Sequence, residues 1–445
     1  MNIITGNGND IISVPVYVNG KLSRTNDVIR TNGGDDVINP GLGKADYVYG
    51  GAGFDRLILD YSVDDTGGGM SLYFDPRGYG IGTAQRVGAT YNSPWLDIIQ
   101  FSEIETITVM GTSKDDTIVT HFGSHTIRAG AGNDFVKGRG GFLDGGTGFD
   151  TLSLDLSAQT SSLNLSNLSN INIANVVNAI NFESFQIATG TGNDIVTQSA
   201  MINGFLQRAN DTIDTGAGND VINAGLGQKD YVDGGAGIDH LIVDYSSGDT
   251  GTGMTFIVSS LGGGSASRKV NATSSLDLDY LFFTRMEQYT VTGTSKDDMI
   301  LAGNGNDILF GGAGNDRIAG GLGADRLTGG LGNDRFEFEL SHSLLGSHDV
   351  ITDLEIGKDI IDGPNIREIG SSLVRKLGNV LSLTEAAIQR VLTPTTFVSN
   401  GASTFTFGNR TFVALNNATA GFSAQTDSVI EITGYRGNLS NLSIK

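Results

Sequence analysis

From Gly293 to Glu337 apolar residues recur every ninth position. The stretch divides into five nonapeptides, GTSKDDMIL, AGNGNDILF, GGAGNDRIA, GGLGADRLT and GGLGNDRFE, with aspartate always sixth and an apolar residue always eighth (Ile300, Leu309, Ile318, Leu327, Phe336). One apolar position between two polar ones suits a short strand with a single inward side chain. Glycine at positions one, two and four lets the backbone take positive φ, turn tightly and expose its carbonyls. If two nonapeptides make one coil, each repeat stacks on the repeat two further along, at the strand spacing of about 4.8 Å. The pattern therefore predicts an all-β chain wound as a parallel β-roll or β-solenoid.

Upstream copies extend the pattern: TGNGNDIIS at 5–13, GGAGFDRLI at 50–58, AGAGNDFVK at 129–137, TGTGNDIVT at 189–197, TGAGNDVIN at 215–223 and GGAGIDHLI at 234–242. Residues 5–58 match 189–242 at a constant offset of 184, including an eight-residue interruption and the ten-residue units PGLGKADYVY and AGLGQKDYVD. The GTSKDD motifs at 111 and 293 are offset by 182, so a long module was copied with two residues lost. A shorter unit, GGTGFDTLS, opens at Gly145. Segments 59–110, 154–188 and 243–292 are poorer in repeat glycines, alternate apolar and polar residues, and read as strand-forming solenoid turns.

The period stops after Glu337. LSHSLLGSHDVITDLEIGKDIID suggests a strand, a loop and a closing strand pair. Thr384 is placed to N-cap a short helix, Leu383 and Ile388 to staple it, and Pro394 to follow its end. Phe405 to Leu415, broken at Gly408-Asn409, reads as a hairpin, with a further strand from Ser428 to Thr433. These boundaries predict a first repeat module over 1–116, a degenerate middle over 117–188, a duplicated module over 189–292, five in-register nonapeptides over 293–337, and a mostly-β cap with a short helix over 338–445.

Glycine supplies 65 of 445 residues, six prolines argue against collagen, and cysteine is absent, excluding disulfides and thiolate ligands. Lys and Arg number 28 against 49 Asp and Glu, a net charge of −21, which disfavours nucleic acid and favours a cationic partner. No apolar run is long enough for a membrane span. Residues 1–20 lack the basic and apolar regions of a signal peptide, so export by that route is not expected.

Coiling brings acids together. In the last run Asp298 aligns with Asp316 and Asp334 on one edge, and Asp307 with Asp325 on the other. The upstream blocks keep nearly that spacing, which groups Asp10, Asp27 and Asp46, and separately Asp36 and Asp55. The duplicate repeats this with Asp194, Asp211 and Asp230, and with Asp220 and Asp239. Asp134 and Asp150 fill the same place in the middle. Two carboxylates about 5 Å apart repel by roughly 3 kcal/mol at an effective dielectric of 20, so a file of them calls for cations. Calcium accepts six to eight hard oxygens at flexible geometry, whereas magnesium demands a tighter octahedron. Several calcium ions per chain are therefore expected, with folding coupled to binding.

An isolated Gly-x-Gly-x-Asp is more often a turn whose aspartate caps a nearby amide. That reading weighs most on Asp116 and Asp298, where Lys114 and Lys296 replace the fourth-position glycine, and His125 stands at an aspartate position in THFGSHTIR. Fewer ions are expected in the middle. Asp-Thr-Gly at 65, 214 and 249 mimics an aspartic protease but follows from the duplication, and His121 and His125 have zincin spacing without the glutamate. Tyr91 and Trp95 could stack on a sugar, with packing at a turn the preferred reading.

The nonapeptides resemble RTX, or hemolysin-type, calcium-binding repeats over most of residues 1–337. DRFEF with DVITDLEIGKDIID is similar to the C-terminal part of serralysin-like repeat domains, and TFVALNNATAGFSAQTDSVIEITGYRGNLSNLSIK to the bluetail domain of RTX surface proteins. The resemblance implies a right-handed parallel β-roll, calcium held between stacked turns by each motif's aspartate and main-chain carbonyls, and type I secretion through an uncleaved C-terminal signal. The family's enzymes and toxins carry their chemistry in separate domains, and no such domain is expected within these 445 residues. The expectation is a non-enzymatic, calcium-dependent secreted or cell-surface protein. The alternatives are a carbohydrate-binding or adhesive module for surface polysaccharide, centred near Trp95, and a polysaccharide-active solenoid enzyme.

Overall fold

The computed structural model describes the chain except residues 65, 76–79, 89–94, 122, 199–200, 203–204, 207, 248–249, 260–261, 364–368, 371–372 and 433. Among the described residues the regular structure is nearly all strand, with one α-helix, Glu385–Gln389, and one 3-10 turn, Leu439–Asn441. Two compact units are present. One comprises Met1–Thr160, Asn164–Gly190 and Asp211–Ile213; the other comprises Ser161–Leu163, Thr191–Asn210 and Asp214–Lys445.

In the second unit the nonapeptides wind as their period predicts. Met299–Leu301, Arg317–Ala319, Arg335–Glu337 and Ile360–Asp362 pair in parallel on one sheet. Ile308–Ala313, Arg326–Leu331 and Asp349–Ile351 pair in parallel on the other. Ile300 lies opposite Ile318, and Leu309 opposite Leu327, so one coil is two repeats. The eighth-position side chains point inward: Ile300, Leu309, Ile318, Leu327 and Phe336 are all 0 % exposed. Each such burial contributes about 1.5–3 kcal/mol, while the flanking positions of each three-residue strand stay accessible.

The first unit is built likewise. One sheet stacks Ile11–Ser13, Val37–Asn39, Arg56–Asp60, Thr106–Met110, Thr126–Ala131, Gly141–Thr147 and Val177–Ile180 in parallel. The other stacks Asn2–Ile4, Val28–Arg30 and Asp46–Tyr49, and then Thr117–Val119, Phe135–Gly138, Thr151–Asp155 and Ser184–Ala188.

The long glycine-poor segments are not plain solenoid turns. Met70–Phe74, Gly82–Val87 and Trp95–Ser102 form an antiparallel meander whose outer strands pair in parallel with Thr117–Val119 and Asp46–Tyr49. The duplicate, Thr255–Val258, Gly264–Lys269 and Asp277–Thr284, does the same against Met299–Leu301 and Asp230–Asp233. Alternation marks a strand without marking its direction. Here strands longer than a nonapeptide can hold double back, filling one sheet position with three strands. In 154–188 the extra chain forms the antiparallel hairpin of Asn170–Ile173 and Val177–Ile180.

After Glu337 the chain closes the stack. Ala402–Phe407 and Arg410–Leu415 form the expected hairpin, with Gly408 at φ +61° in its turn. Ser428–Ile432 pairs with Arg410–Leu415 on one side and Asp349–Ile351 on the other; Thr433, the expected end of that strand, lies outside the described residues. Ile388, Leu392, Phe397, Phe405, Phe412 and Val429 form a separate apolar core there. Thr384 does occupy the helix N-cap, but its hydroxyl bonds Ser382 at 3.0 Å and caps no amide.

Candidate metal centres

Winding places the sixth-position aspartates inside the turns, not on their surface. Asp307, Asp316, Asp325 and Asp334 are each 1 % exposed. A fixed exchange links successive coils. The backbone N–H of Asp298 donates to Oδ1 of Asp316 at 2.8 Å, that of Asp316 to Asp334 at 3.0 Å, and that of Asp307 to Asp325 at 2.8 Å. The files continue beyond the nonapeptides, with Asp325 donating to Asp349 at 2.9 Å and Asp334 to Asp359 at 3.0 Å.

This exchange uses one carboxylate oxygen and strands the other. Oδ2 of Asp307, Asp316, Asp325 and Asp349 is buried without a hydrogen-bond partner, as is Oδ2 of Asp194 and Asp239 in the duplicated module. In the first unit Asp10, Asp36, Asp46, Asp55, Asp134 and Asp150 share the condition. An ionised oxygen held out of water and unpaired is strongly unfavourable, and burial pushes up the carboxyls of Asp46, Asp55, Asp134, Asp150, Asp239, Asp307, Asp316, Asp325 and Asp349. Asp307 rises to about 8, with the charge of Asp325 adding to burial; Asp316, Asp134 and Asp46 rise to about 7, chiefly through burial. Asp325 and Asp349, stacked on each other, are both raised, again chiefly by burial.

Glycine makes room for this arrangement. A β-carbon on Gly320 would lie 2.0 Å from Oδ2 of Asp325. Gly323, at φ +148°, sits where a β-carbon would fall 1.5 Å from the Gly305 carbonyl oxygen of the preceding coil. Stranded carboxylate oxygens and carbonyls crowding stacked glycines form a donor set of hard oxygens, which fits calcium. Among the described residues no three Asp, Glu or His side chains converge, so main-chain oxygens or water must complete any coordination sphere.

Five of the expected residues are differently engaged. Asp116 accepts from the Thr112 N–H at 2.7 Å and hydroxyl at 2.8 Å, and from the Met70 N–H; Asp298 is bonded the same way by Thr294 and Met254. Both cap their turns, as the lysine at position four foreshadows. Asp27 is held by the Thr25 hydroxyl at 2.6 Å and the N-terminal ammonium at 2.5 Å. Asp211 accepts from the Phe185 N–H at 2.7 Å, and the Asp230 carboxylate lies against Gly227.

The upstream register corrects the expectation. Asp10 bonds Asp36, not Asp27: its N–H donates to Asp36 Oδ1 at 2.7 Å, and Asp36 in turn donates to Asp55 at 2.8 Å. Asp27 pairs with Asp46 alone at 2.8 Å. Likewise Asp194 donates to Asp220 at 2.7 Å, and Asp220 to Asp239 at 2.9 Å, so Asp194 leaves the expected group with Asp211 and Asp230. The cause is the eight-residue interruption. One nonapeptide plus eight extra residues spans 17 positions, close to the 18 of a full coil, yet ends on the opposite edge. The extra residues form the small hairpin of Tyr17–Val18 and Lys21–Leu22.

Glutamates close several files. The N–H groups of Asp55, Asp150 and Asp239 donate to Glu105 at 2.7 Å, Glu183 at 2.8 Å and Glu287 at 2.8 Å. Each glutamate precedes an apolar residue by two places (Ile107, Phe185, Tyr289), as does Asp349 before Ile351 and Asp359 before Ile361, the signal by which the sequence could have exposed them. His125 does stand in an aspartate's place. Its Nδ1 accepts from the Ile107 N–H at 3.3 Å, as Asp307 accepts from the Tyr289 N–H, and burial with the neighbouring His121 lowers its ring to about 4. Neutral imidazole interrupts the acidic file there.

Asp214 ends the strand Thr212–Asp214 and accepts from the Gly216 N–H at 3.2 Å, while Asp65, Asp249, Tyr91 and Phe122 lie outside the described residues. Trp95, expected to pack at a turn, is instead 45 % exposed at the start of its strand. Among the described residues no helix is long and apolar enough to cross a membrane.

Comparison with known families matches the model of the RTX calcium-binding nonapeptide repeat at residues 23–44, 40–64, 110–152, 208–241, 290–318 and 301–336. A search of curated proteins returned no match.

Proposed function

We propose, for a chain that carries RTX calcium-binding nonapeptide repeats, that calcium is the missing partner of its buried aspartate files and that the coils fold as it binds. The stranded Oδ2 atoms carry this reading. Without a cation the turns of these stranded aspartates pair one carboxylate oxygen and bury the other unpaired; with one, the same oxygen would become a ligand and inter-coil repulsion would become attraction. Asp307, Asp325 and Asp349 would hold ions along one edge, and Asp316 with Asp334 along the other; Asp10, Asp36 and Asp55, then Asp134 with Asp150, and Asp194 with Asp239 would do so upstream. A site with calcium at about four times its dissociation constant adds about 1 kcal/mol, and the sum over many sites decides the fate of short-stranded coils.

The same reading makes the protein non-enzymatic, secreted or cell-surface, and exported by type I machinery that acts while calcium-poor surroundings keep the repeats unfolded. Residues 338–445 would cap the stack and carry the export signal. Calorimetric titration of the chelated chain should reveal several saturable calcium sites, and absence of binding at millimolar calcium would overturn the reading. A carbohydrate-binding role has one favourable observation, the exposed Trp95 indole, and predicts glycan-array signal that Trp95→Ala removes.

A further inference from the structure

We infer that the two meanders carry their own cations, arginines set where a repeat would need calcium, and that they are seeds able to hold structure before calcium arrives. This rests on the calcium reading above and adds to it a division of the chain into ion-dependent and ion-independent parts.

In the first unit the inward carboxylates of Asp27 and Asp46 are followed by Asp97, which is 0 % exposed. Unlike the file aspartates, Asp97 has both oxygens engaged by cations. Arg86, on the middle meander strand and 1 % exposed, approaches Oδ2 with Nε at 3.0 Å and Nη2 at 2.8 Å. Arg24, at the turn before Asp27, reaches Oδ1 with Nε at 3.0 Å. Both guanidinium groups also bind Asp64, and Arg86 lies over the Tyr61 ring with its guanidinium carbon 5.9 Å from the centroid. Two cations thus meet two carboxylates, and the cluster is neutral without an ion from solution.

The duplicate repeats the device. Arg268, also 1 % exposed, meets Asp279 Oδ2 with Nε at 3.0 Å and Nη2 at 2.6 Å, while Arg208 reaches Oδ1 at 2.9 Å. Tyr245 stands in the place of Tyr61, 5.5 Å from the Arg268 guanidinium carbon. Asp64 has a glycine counterpart, Gly248, so the arginine–Asp97/Asp279 contact is the shared part.

Guanidinium stays charged at all working pH values and matches a carboxylate in a fixed fork. Burying such a group is costly, but removing one partner is costlier, because the other charge is then buried alone. The meanders also have strands of four to eight residues and bury paired aromatic rings, Phe74 against Phe101 at 5.2 Å and Phe256 against Phe283 at 5.5 Å. The three-residue repeat strands have one inward side chain each. In a quasi-linear stack a preformed coil gives its neighbours a template for propagation.

Hydrogen exchange of the full chain, in chelator and in millimolar calcium, tests this. In chelator, amides of Met70–Phe74, Gly82–Val87, Trp95–Ser102 and their duplicates should exchange at least ~10-fold more slowly than those of 293–337, as expected for the more stable parts of a chain; calcium should protect all of them. Equal, rapid exchange of meanders and repeats in chelator would overturn the seed proposal. Full protection of 293–337 in chelator would instead overturn the calcium reading. Arg86→Met should abolish the chelator-state protection of the first meander and spare the second, and Arg268→Met should do the reverse. Unchanged protection in either variant would remove the arginines from the account, whatever the effect on the calcium-loaded fold.

Discussion

A single oxygen separates the aspartates that hold a turn from those whose Oδ2 is buried without a partner. Asp116 and Asp325 occupy equivalent positions, but Thr112 occupies Asp116 from within its own turn, while Oδ2 of Asp325 has no partner. Calorimetry should therefore find Asp325→Ala short of about one or two calcium ions, since a file carboxylate faces coils on both sides. Asp116→Asn should keep the stoichiometry and lose about 1 kcal/mol of stability, the usual worth of a turn or cap bond. Titration gives a second test. Asp307, Asp316 and Asp134 are raised to between about 7 and about 8 in the ion-free fold, above the ordinary aspartate value. Their contribution is then fully present only below about pH 4 and is lost as pH rises through 7 to 8. In chelator the β-signal in circular dichroism should accordingly be larger at pH 5.5 than at pH 8. Calcium, competing with those protons, should bind more tightly at the higher pH.

Strands and turns divide the work. Ile318 is one of the inward residues that make a three-residue strand worth forming, so Ile318→Ala should cost about 2–5 kcal/mol in a calcium-loaded denaturation experiment. Gly323→Ala should be at least as harmful, because its β-carbon would strike the Gly305 carbonyl and its φ of +148° excludes a side chain. At this scale the sequence was legible wherever its intervals were regular. The 18-residue spacing of Asp298, Asp316 and Asp334, and of Asp307 and Asp325, is the observed register. It misled where an insertion imitated a coil, as between Asp10 and Asp27, since spacing records chain length and not the edge on which the chain arrives. The meanders were legible as strands but not as antiparallel ones, because alternation is blind to direction. Glu105, Glu183 and Glu287 escaped notice because no glycine turn introduces them, although the acid-x-apolar pattern persists.

Across the chain an excess of acid over base, −21 in all, is concentrated in part in buried files that a proton or a bound cation would neutralise. On the proposed reading such a molecule would couple its structure to the calcium around it, while the arginine-held coils would depend less on the ion. The most direct measurement is far-ultraviolet circular dichroism of the full chain at pH 8, first in excess chelator and then through a calcium titration. The prediction is a weak β-signal in chelator that rises cooperatively to the spectrum of a mostly-β protein as calcium reaches millimolar concentrations. A complete β-spectrum in excess chelator, unchanged by added calcium, would contradict it.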